Sequence, residues 1–252
     1  MISRRSWFAL LASLGLPGVA AAFGEEGAFH PRLFTTAPGK GTVGLEGLIG
    51  AASRWAFELM ERTSAPARIS IDVVGPETAR FLLEPFVFWA GESDPGELGP
   101  LAQRRLAEFF RLGGQMVVDD RVPERGAFLE GAARELGRIS PELSRAPLGA
   151  DHVLYKSFYL LDRPYGRVLG PPEVEALSAG GTVRVLFLRH DLLGALSRTG
   201  ETWTHPVEPG GSLQREMAIR FAVNIAMHFL CTDYKNDQVH APFLMRRRTR
   251  SQ

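Results

Sequence analysis

Cysteine is nearly absent from this chain of 252 residues, because Cys231 is the only one. One cysteine excludes a disulfide within the chain. Cys231 lies in an apolar stretch that predicts a helix, where a thiol usually behaves as a small, unreactive hydrophobic side chain. Thiolate chemistry needs an accessible, electropositive site, so we do not expect Cys231 to act as a nucleophile.

The chain also lacks a strong net charge, which is +1 at pH 7. Six arginines stand near its two ends, at positions 4, 5, 246, 247, 248 and 250. Without these six, the acidic residues outnumber the basic ones. Because the neutralisation of phosphates dominates affinity for nucleic acids, we expect no binding of DNA or RNA.

No apolar run after the first residues approaches the roughly 18 residues that a membrane span needs. The beginning of the chain resembles a signal peptide, with a basic segment 1–5, an apolar segment 7–16 and Ala20-Ala21-Ala22 as a cleavage site. Its paired arginines fit either twin-arginine (Tat) or general secretory export. We therefore expect three parts: a signal peptide 1–22, a soluble domain 23–243 that is periplasmic or otherwise exported, and a basic, solvated tail 244–252.

What the chain does contain is a strand, a helix and a strand within the segment 85–120. Phe86 to Ala90 and Met116 to Val118 are unbroken apolar runs, typical of strands covered on both faces. Between them, apolar residues recur on one helical face: Ala102, Leu106, Phe109 and Phe110. A strand, a crossover helix and a parallel strand form one right-handed unit of an α/β sheet. We predict a single α/β domain whose mostly parallel sheet lies between helices.

Further elements are predicted around this unit. Apolar periodicity gives, in chain order, a strand within 28–36, a helix over 45–62, an edge strand over 69–73 and a buried strand over 183–188. Pro123 is expected to open a helix that carries apolar residues inward as far as Leu136. The segment 140–172 has the composition of a long irregular loop. Ser212 is the expected N-cap of an apolar last helix.

Polar residues follow the buried strands, where open α/β sheets bind their ligands. Three groups are expected at one edge of the sheet: Asp119-Asp120-Arg121, Asp151-His152 and Arg189-His190-Asp191. The candidate ligand-binding residues are Glu92, Asp119, Asp120, Arg121, Asp151, His152, His190 and Asn224. Carboxylates and imidazoles in one cleft could perform acid–base chemistry, which makes catalytic candidates of Asp119, Asp120, His152 and Asp191.

Each group also has a structural interpretation. Asp119 and Asp120 could cap the following helix, and Asp151-His152 could hold the turns of the long loop. Arg189-His190-Asp191 could be a solvated strand end. A polar row is expected to form the wet face of the last helix, with an ion pair between its first two members: Glu216, Arg220, Asn224 and His228. No metal-ligand spacing occurs, so we expect neither a metal nor another cofactor.

The chain resembles domain of unknown function 4159, a family of bacterial proteins that are often exported or tethered to a membrane. The matching features are FRLGGQMVVDD at 110–120, GADH at 149–152, the late strand that ends near Asp191, and RFAVNIAMHFLCTDYKNDQVHAPF at 220–243. They cover nearly all of the chain after the leader. The resemblance implies a flavodoxin-like fold similar to class I glutamine amidotransferases. It marks several positions without giving them roles: Gly113, Gly114, Asp119, Asp120, Asp151, His152 and Asn224.

In class I amidotransferases a nucleophilic cysteine stands at a sharp turn from strand to helix, whereas the matching strand here ends in Asp119-Asp120-Arg121. The resemblance therefore implies a domain without glutaminase chemistry. We expect a non-catalytic module of the cell envelope that binds a small ligand or an envelope protein. The alternatives are a hydrolase that uses the Asp/His cluster, with or without a metal, and a structural subunit that docks through its apolar last helix.

Overall fold

The computed structural model describes residues 28–36 and 45–248, and only the backbone at position 79 and over 233–248. The predicted leader 1–22 and the last residues of the predicted tail lie outside the described residues. Within the described ranges, the strands of the main sheet are β1 (Arg32–Phe34), β2 (Val73–Val74), β3 (Phe86–Gly91), β4 (Gln115–Asp120), β5 (Ser144–Leu148), β6 (Val174–Ala179) and β7 (Thr182–Leu188). The α-helices are α1 (Leu45–Arg62), α2 (Pro100–Arg111), α3 (Ala127–Ile139), α4 (Leu192–Leu196) and α5 (Gly211–Arg248). A hairpin of β8 (Arg198–Thr199) and β9 (Thr202–Trp203) precedes α5.

The main sheet is mostly parallel. Its strand order is β2–β1–β3–β4–β7–β6–β5, and the first five strands of that order run the same way. Strands β3 and β4 pair along their whole length, with Phe88 opposite Val117. The predicted parallel unit and the predicted fold class are therefore confirmed: the chain is an α/β domain with a mostly parallel sheet flanked by helices, consistent with a flavodoxin-like fold.

Two antiparallel strands complete the sheet, and the sequence analysis missed both of them. Strand β6 pairs antiparallel with β7 and with β5. The prediction of an irregular loop over 140–172 is wrong for its first part, because β5 and a 3₁₀ turn (Val153–Lys156) lie there. Two successive reversals give β5 the direction of β4 and β7. The segments that follow these three strands therefore leave from the same edge of the sheet.

Helices cover both faces of the sheet. The first face packs against α1, α4 and α5, where Trp55 and Phe221 are fully buried. The second face packs against α2 and α3, with Phe109 and Phe128 buried there. Burial of one such aromatic side chain contributes roughly 1.5–3 kcal/mol, so both layers stabilise the sheet that carries the polar edge. None of the described helices combines the length and the apolar character that a membrane span requires.

Most predicted helices are confirmed, with corrections at their beginnings. Helix α1 has the predicted bounds, and α2 buries the four predicted apolar residues. Helix α3 begins at Ala127 instead of Pro123, because the chain first makes a turn that ends in Gly126, whose φ is 66°. The expected N-cap Ser212 lies inside α5, which begins at Gly211. The beginning of α5 is instead capped by Gln214 in its first turn, whose side chain accepts the backbone N–H of Gly210 at 3.0 Å.

Two other expectations need correction. The predicted edge strand over 69–73 is at the edge of the sheet, but only Val73–Val74 pair as a strand. Cys231 was expected to be a packed hydrophobic side chain, yet it is exposed. Its position explains this: Cys231 comes after Phe229, the last buried core residue described in α5, and Leu230, which is only partly buried against the core.

Candidate functional site

A crevice lies between the carboxyl ends of β4 and β7. These strands are parallel neighbours, but β4 leads to α3 on one face of the sheet and β7 leads to α4 on the other. Such a divergence opens a crevice that ligands occupy in open α/β sheets. Strands β1 and β3 diverge in the same way, although residues 37–44 after β1 lie outside the described part of the chain. The β4/β7 edge is therefore the candidate site that can be described.

Asp119 and Asp120 end β4 and point to opposite faces of the sheet, as consecutive strand residues do. Asp119 accepts the backbone N–H groups of Leu192 at 3.0 Å and Leu193 at 2.8 Å, in the first turn of α4. Asp120 accepts those of Val122 at 3.0 Å and Leu129 at 3.4 Å, the latter in α3. The two side chains are at most 1% exposed. The geometry thus agrees with the capping interpretation, extended to one helix on each face.

Burial raises the pKa of both carboxyl groups at the end of β4. It is the main cause that raises the pKa of Asp119 to about 7, and the charge of Asp191 is the second. Burial likewise raises the pKa of Asp120, while the two backbone donors oppose the shift. Both groups are inaccessible to a ligand, so their raised pKa reflects enclosure and not an exposed acid or base.

Asp191 lies directly after β7 and is 1% exposed. Its φ of 49° is in the left-handed region, and its side chain caps α4 by accepting the N–H of Gly194 at 3.0 Å. Two arginines bind the same carboxylate: Arg121 Nε lies 2.7 Å from Oδ1, and Arg167 Nε contacts Oδ2. The interpretation of this segment as a solvated strand end is wrong, because helix capping and ion pairing hold Asp191 inside.

His190 is also buried, at 1% exposure, and lines a cavity of about 200 Å³. Its Nε2 donates to the carbonyl of Pro171 at 2.9 Å, which leaves Nδ1 as an acceptor. Among the described residues, Nδ1 has no hydrogen-bonding partner. Burial lowers the pKa of His190 to about 4, so the ring is neutral at neutral pH. The other walls of this cavity, the His190 pocket, include Pro147, Pro171, Pro172, Glu173 and Arg189.

An ion-pair network borders the His190 pocket. Arg145 Nη2 lies 2.7 Å from a carboxylate oxygen of Glu175, and its guanidinium stands 5.4 Å from the ring centroid of Phe187. Arg145 and Arg189 both contact Glu130 of α3. Glu175 and Phe187 line the cavity as well. These contacts link β5, β6, β7 and α3 beside the pocket.

The family model Domain of unknown function (DUF4159) matches residues 50–230. The chain belongs to the DUF4159 family. A search of curated proteins found no match. The resemblance stated from the sequence is thereby confirmed for the family, and every candidate residue from Glu92 to Asn224 lies within the matched part of this DUF4159 chain.

The Asp151-His152 turn of the DUF4159 domain starts from the same edge, but it lies away from the crevice. Strand β5 is three positions from β4, about 14 Å at the usual strand spacing. His152 Nδ1 accepts the N–H of Leu154 at 3.2 Å, and its ring lies 5.5 Å from that of His228 in α5. Asp151 is exposed and pairs with Lys156 at 2.9 Å. These contacts match the interpretation that the two residues hold the loop.

The last two candidates are also separate from the crevice. Asn224 is fully buried and accepts the N–H groups of Phe158 and Tyr159 at 3.2 and 2.7 Å. The predicted Glu216–Arg220 pair forms at 2.8 Å. The wet-face prediction is wrong for Asn224 and His228, because both are buried, and the amide of Asn224 ties the segment after the 3₁₀ turn to α5. Glu92, after β3, is exposed.

Sequence reasoning missed Arg167, His205 and two glycines of the loop 163–172. A Cβ on Gly166 would lie 2.1 Å from the carbonyl oxygen of His190, and one on Gly170 would lie 2.3 Å from that of Arg189. The loop backbone therefore packs directly on the end of β7. Neither glycine stands in a recognisable motif, and Arg167 is brought to Asp191 by a loop instead of a strand, so no local signal marked them.

Proposed function

We propose that this protein is a non-catalytic binding module of the cell envelope, and that it holds a small ligand in the His190 pocket. The observation that carries the proposal is a cavity lined by His190, a residue whose buried Nδ1 has no partner among the described residues. An unpaired buried acceptor costs about 1–3 kcal/mol. A ligand that donates a hydrogen bond there would recover that free energy.

The chemistry of the walls suggests the type of ligand. Pro147, Pro171 and Pro172 offer flat apolar surfaces, while Glu173 and Arg189 offer an acceptor and a donor. Ligand sites commonly combine apolar walls with a few polar groups that fix orientation. A compact, polar molecule with one apolar face and at least one N–H or O–H group fits this description.

The use of the β4 carboxylates supports a non-catalytic role. At the strand end where an amidotransferase carries its nucleophile, Asp119 and Asp120 each accept two backbone N–H groups and are closed off from ligands. A hydrolase built on Asp119, Asp120 and His152 would need these side chains in one cleft. Asp119 and Asp120 face opposite sides of the sheet, and His152 contacts α5.

A role in the envelope is supported by the leader-like segment 1–22. Cells that express the full chain should export a mature form that begins at Phe23. Mass spectrometry of its N-terminus after cell fractionation measures this directly. A chain that keeps Met1 and remains in the cytoplasm would contradict this part of the proposal.

Ligand binding is tested by thermal-shift and calorimetric measurements against sugars, peptidoglycan fragments and nucleotides. A compound at about 100 times its Kd should stabilise the fold by about 2.7 kcal/mol, which raises Tm by several degrees. Glu173→Trp fills the pocket from its exposed wall and should abolish the shift. The matched control Glu142→Trp, an exposed glutamate outside the pocket, should preserve it. Failure of every compound, or equal loss in both variants, would contradict the proposal.

A further inference from the structure

Two arginines meet at the carboxylate of Asp191, directly after β7. Arg121 follows β4, and Arg167 comes from the loop 163–172. Arg167 Nε donates to Oδ2 of Asp191, whereas Arg121 Nε lies 2.7 Å from Oδ1 as an ion pair without hydrogen-bond geometry. The side chain of Arg121 is 15% exposed and that of Arg167 is 25% exposed, above a carboxylate that is 1% exposed. Both guanidinium groups are thus anchored by one edge at the mouth of the β4/β7 crevice.

The outer edges of these guanidinium groups remain available. Among the described residues, no hydrogen bond uses the Nη atoms of Arg121. Arg167 Nη2 makes one long contact, 3.5 Å, to the carbonyl of Arg121. Arg167 is fixed through Nε and keeps Nη donors, so it is pre-organised for a planar oxyanion, because little side-chain entropy is lost on binding. Arg121 is held by its ion pair with Asp191.

A third arginine, Arg215, holds the backbone of His205. Arg215 Nη2 donates to the carbonyl of His205, and the Arg215 guanidinium packs 4.4 Å from the ring centroid of Trp203. Arg121, Arg167 and Arg215 all act on the imidazole, with Asp191 as the opposing charge: burial and these arginines lower the pKa of His205. A neutral imidazole among three cations still offers one N–H donor and adds no repulsive charge.

The local charge balance favours an anion. Arg121 and Arg167 place two positive charges against the single negative charge of Asp191, and Asp119 already has two backbone N–H donors of α4 on its oxygens. At the carboxyl edge of an open α/β sheet, such an excess of positive charge is situated where ligands enter.

We infer that Arg121 and Arg167 form an oxyanion subsite, which binds the carboxylate or phosphate group of a small molecule at the β4/β7 crevice. Forked Nη donors match both groups, and charge-assisted hydrogen bonds of this type are roughly twice as strong as neutral ones. The inference does not rest on the His190 pocket, because its residues, its probe and its variants are different.

The test titrates the full chain with inorganic phosphate and, separately, with acetate, at an ionic strength held constant with sodium chloride. Binding is followed by isothermal calorimetry and, for phosphate, by ³¹P line broadening. Saturable binding of either anion is the expected result, and the stronger of the two identifies the preferred group. Arg167→Gln should weaken it at least 10-fold.

Two further variants separate binding from folding. Arg167→Lys keeps a positive charge beside Asp191 but loses the forked donors, so it should fold normally and still weaken binding several-fold. Arg134→Gln removes an arginine that pairs with Asp94 on the surface of α3, and it should leave the affinity within about twofold. Absence of saturable binding in the wild type, or equal weakening by Arg134→Gln, would overturn the inference and leave the arginines as partners of Asp191 alone.

Discussion

The carboxyl ends of β4 and β7 are neighbours and carry similar polar residues, yet they satisfy them in different ways. At the β4 end, Asp119 and Asp120 are enclosed, and each accepts two backbone N–H groups. At the β7 end, one nitrogen of His190 has no partner in the described part of the chain, and Asp191 is bound by arginines that remain partly exposed. The two strand ends differ less in residue type than in how their polar groups are bound. The β4 end is structural, whereas the β7 end is suited to binding a ligand.

The difference has a physical origin in the helices that follow. Strand β4 delivers one carboxylate to each face, and each meets the first turn of a helix, where backbone N–H groups lack intrahelical partners. After β7, the chain turns at Asp191 with φ 49° and enters α4 at once. His190 is thereby left under the loop 163–172, where carbonyl groups are near but few donors are. We expect substitutions at the two strand ends to differ in their effects on stability and on its dependence on pH.

The largest effect is expected for Asp119→Ala. It removes the acceptor of two buried N–H groups in α4, so the free energy of unfolding should fall by about 3–5 kcal/mol. Urea unfolding followed by circular dichroism measures the change. Asp151→Ala is the matched control, because this exposed carboxylate only pairs with Lys156 and should change stability by less than about 0.5 kcal/mol. Equal effects of the two variants would mean that the β4 end does not depend on its capping carboxylate.

The second-largest effect on stability is expected for Gly166→Ala, at the β7 end. The added Cβ would lie 2.1 Å from the carbonyl oxygen of His190, so loop or strand must move, and we expect a loss of about 2–4 kcal/mol. Gly149→Ala is the control, since its Cβ would meet nothing closer than 3.9 Å. Hydrogen exchange should show faster exchange at Arg167 and Val168, whose N–H groups donate to Asp191 and His190. Unchanged protection in Gly166→Ala would show that the loop is not pinned there.

Much of the fold could be predicted because its signals are local. The runs Phe86 to Ala90 and Met116 to Val118, with one apolar helical face between them, specify neighbouring parallel strands with little ambiguity. Strand β5 could not be found in this way, since its residues SRAPL are mostly exposed and contain Pro147. Strand β6 did carry a signal that was missed. Gly180-Gly181 separates it from β7 by two residues, the usual mark of a hairpin.

The site was less predictable, since its contacts join distant segments. Asp119, Asp120 and Asp191 could be found because each ends or follows a buried strand. Their roles could not, because alternation sends Asp119 and Asp120 to different faces, and only the positions of α3 and α4 show which N–H groups they meet. Arg167 reaches Asp191 from a loop 24 residues away, held by backbone hydrogen bonds that no sequence pattern specifies.

The pH dependence of stability gives the most specific test of the β7 end. Burial holds the pKa of His190 near 4 in the folded state, whereas an exposed histidine titrates near 6.5. Between these values the unfolded chain binds the extra proton. The contribution of neutral His190 to the free energy of unfolding is therefore fully present above about pH 6.5. As the pH falls towards 4, the free energy of unfolding should decrease by about 2–3 kcal/mol because of this residue.

His190→Gln isolates this contribution, because a glutamine amide can still donate to the carbonyl of Pro171 but does not titrate. Urea unfolding gives the free energy of unfolding of the wild type and of His190→Gln at pH 7, 6, 5 and 4.5. Plotted against pH, the two sets of values should converge as the pH falls, since Asp119 and the other titrating groups contribute equally to both proteins. Parallel curves would mean that the imidazole becomes protonated inside the folded protein at its ordinary pKa. The β7 end would then be open to water, its Nδ1 would need no ligand, and the contrast with the closed end of β4 would disappear.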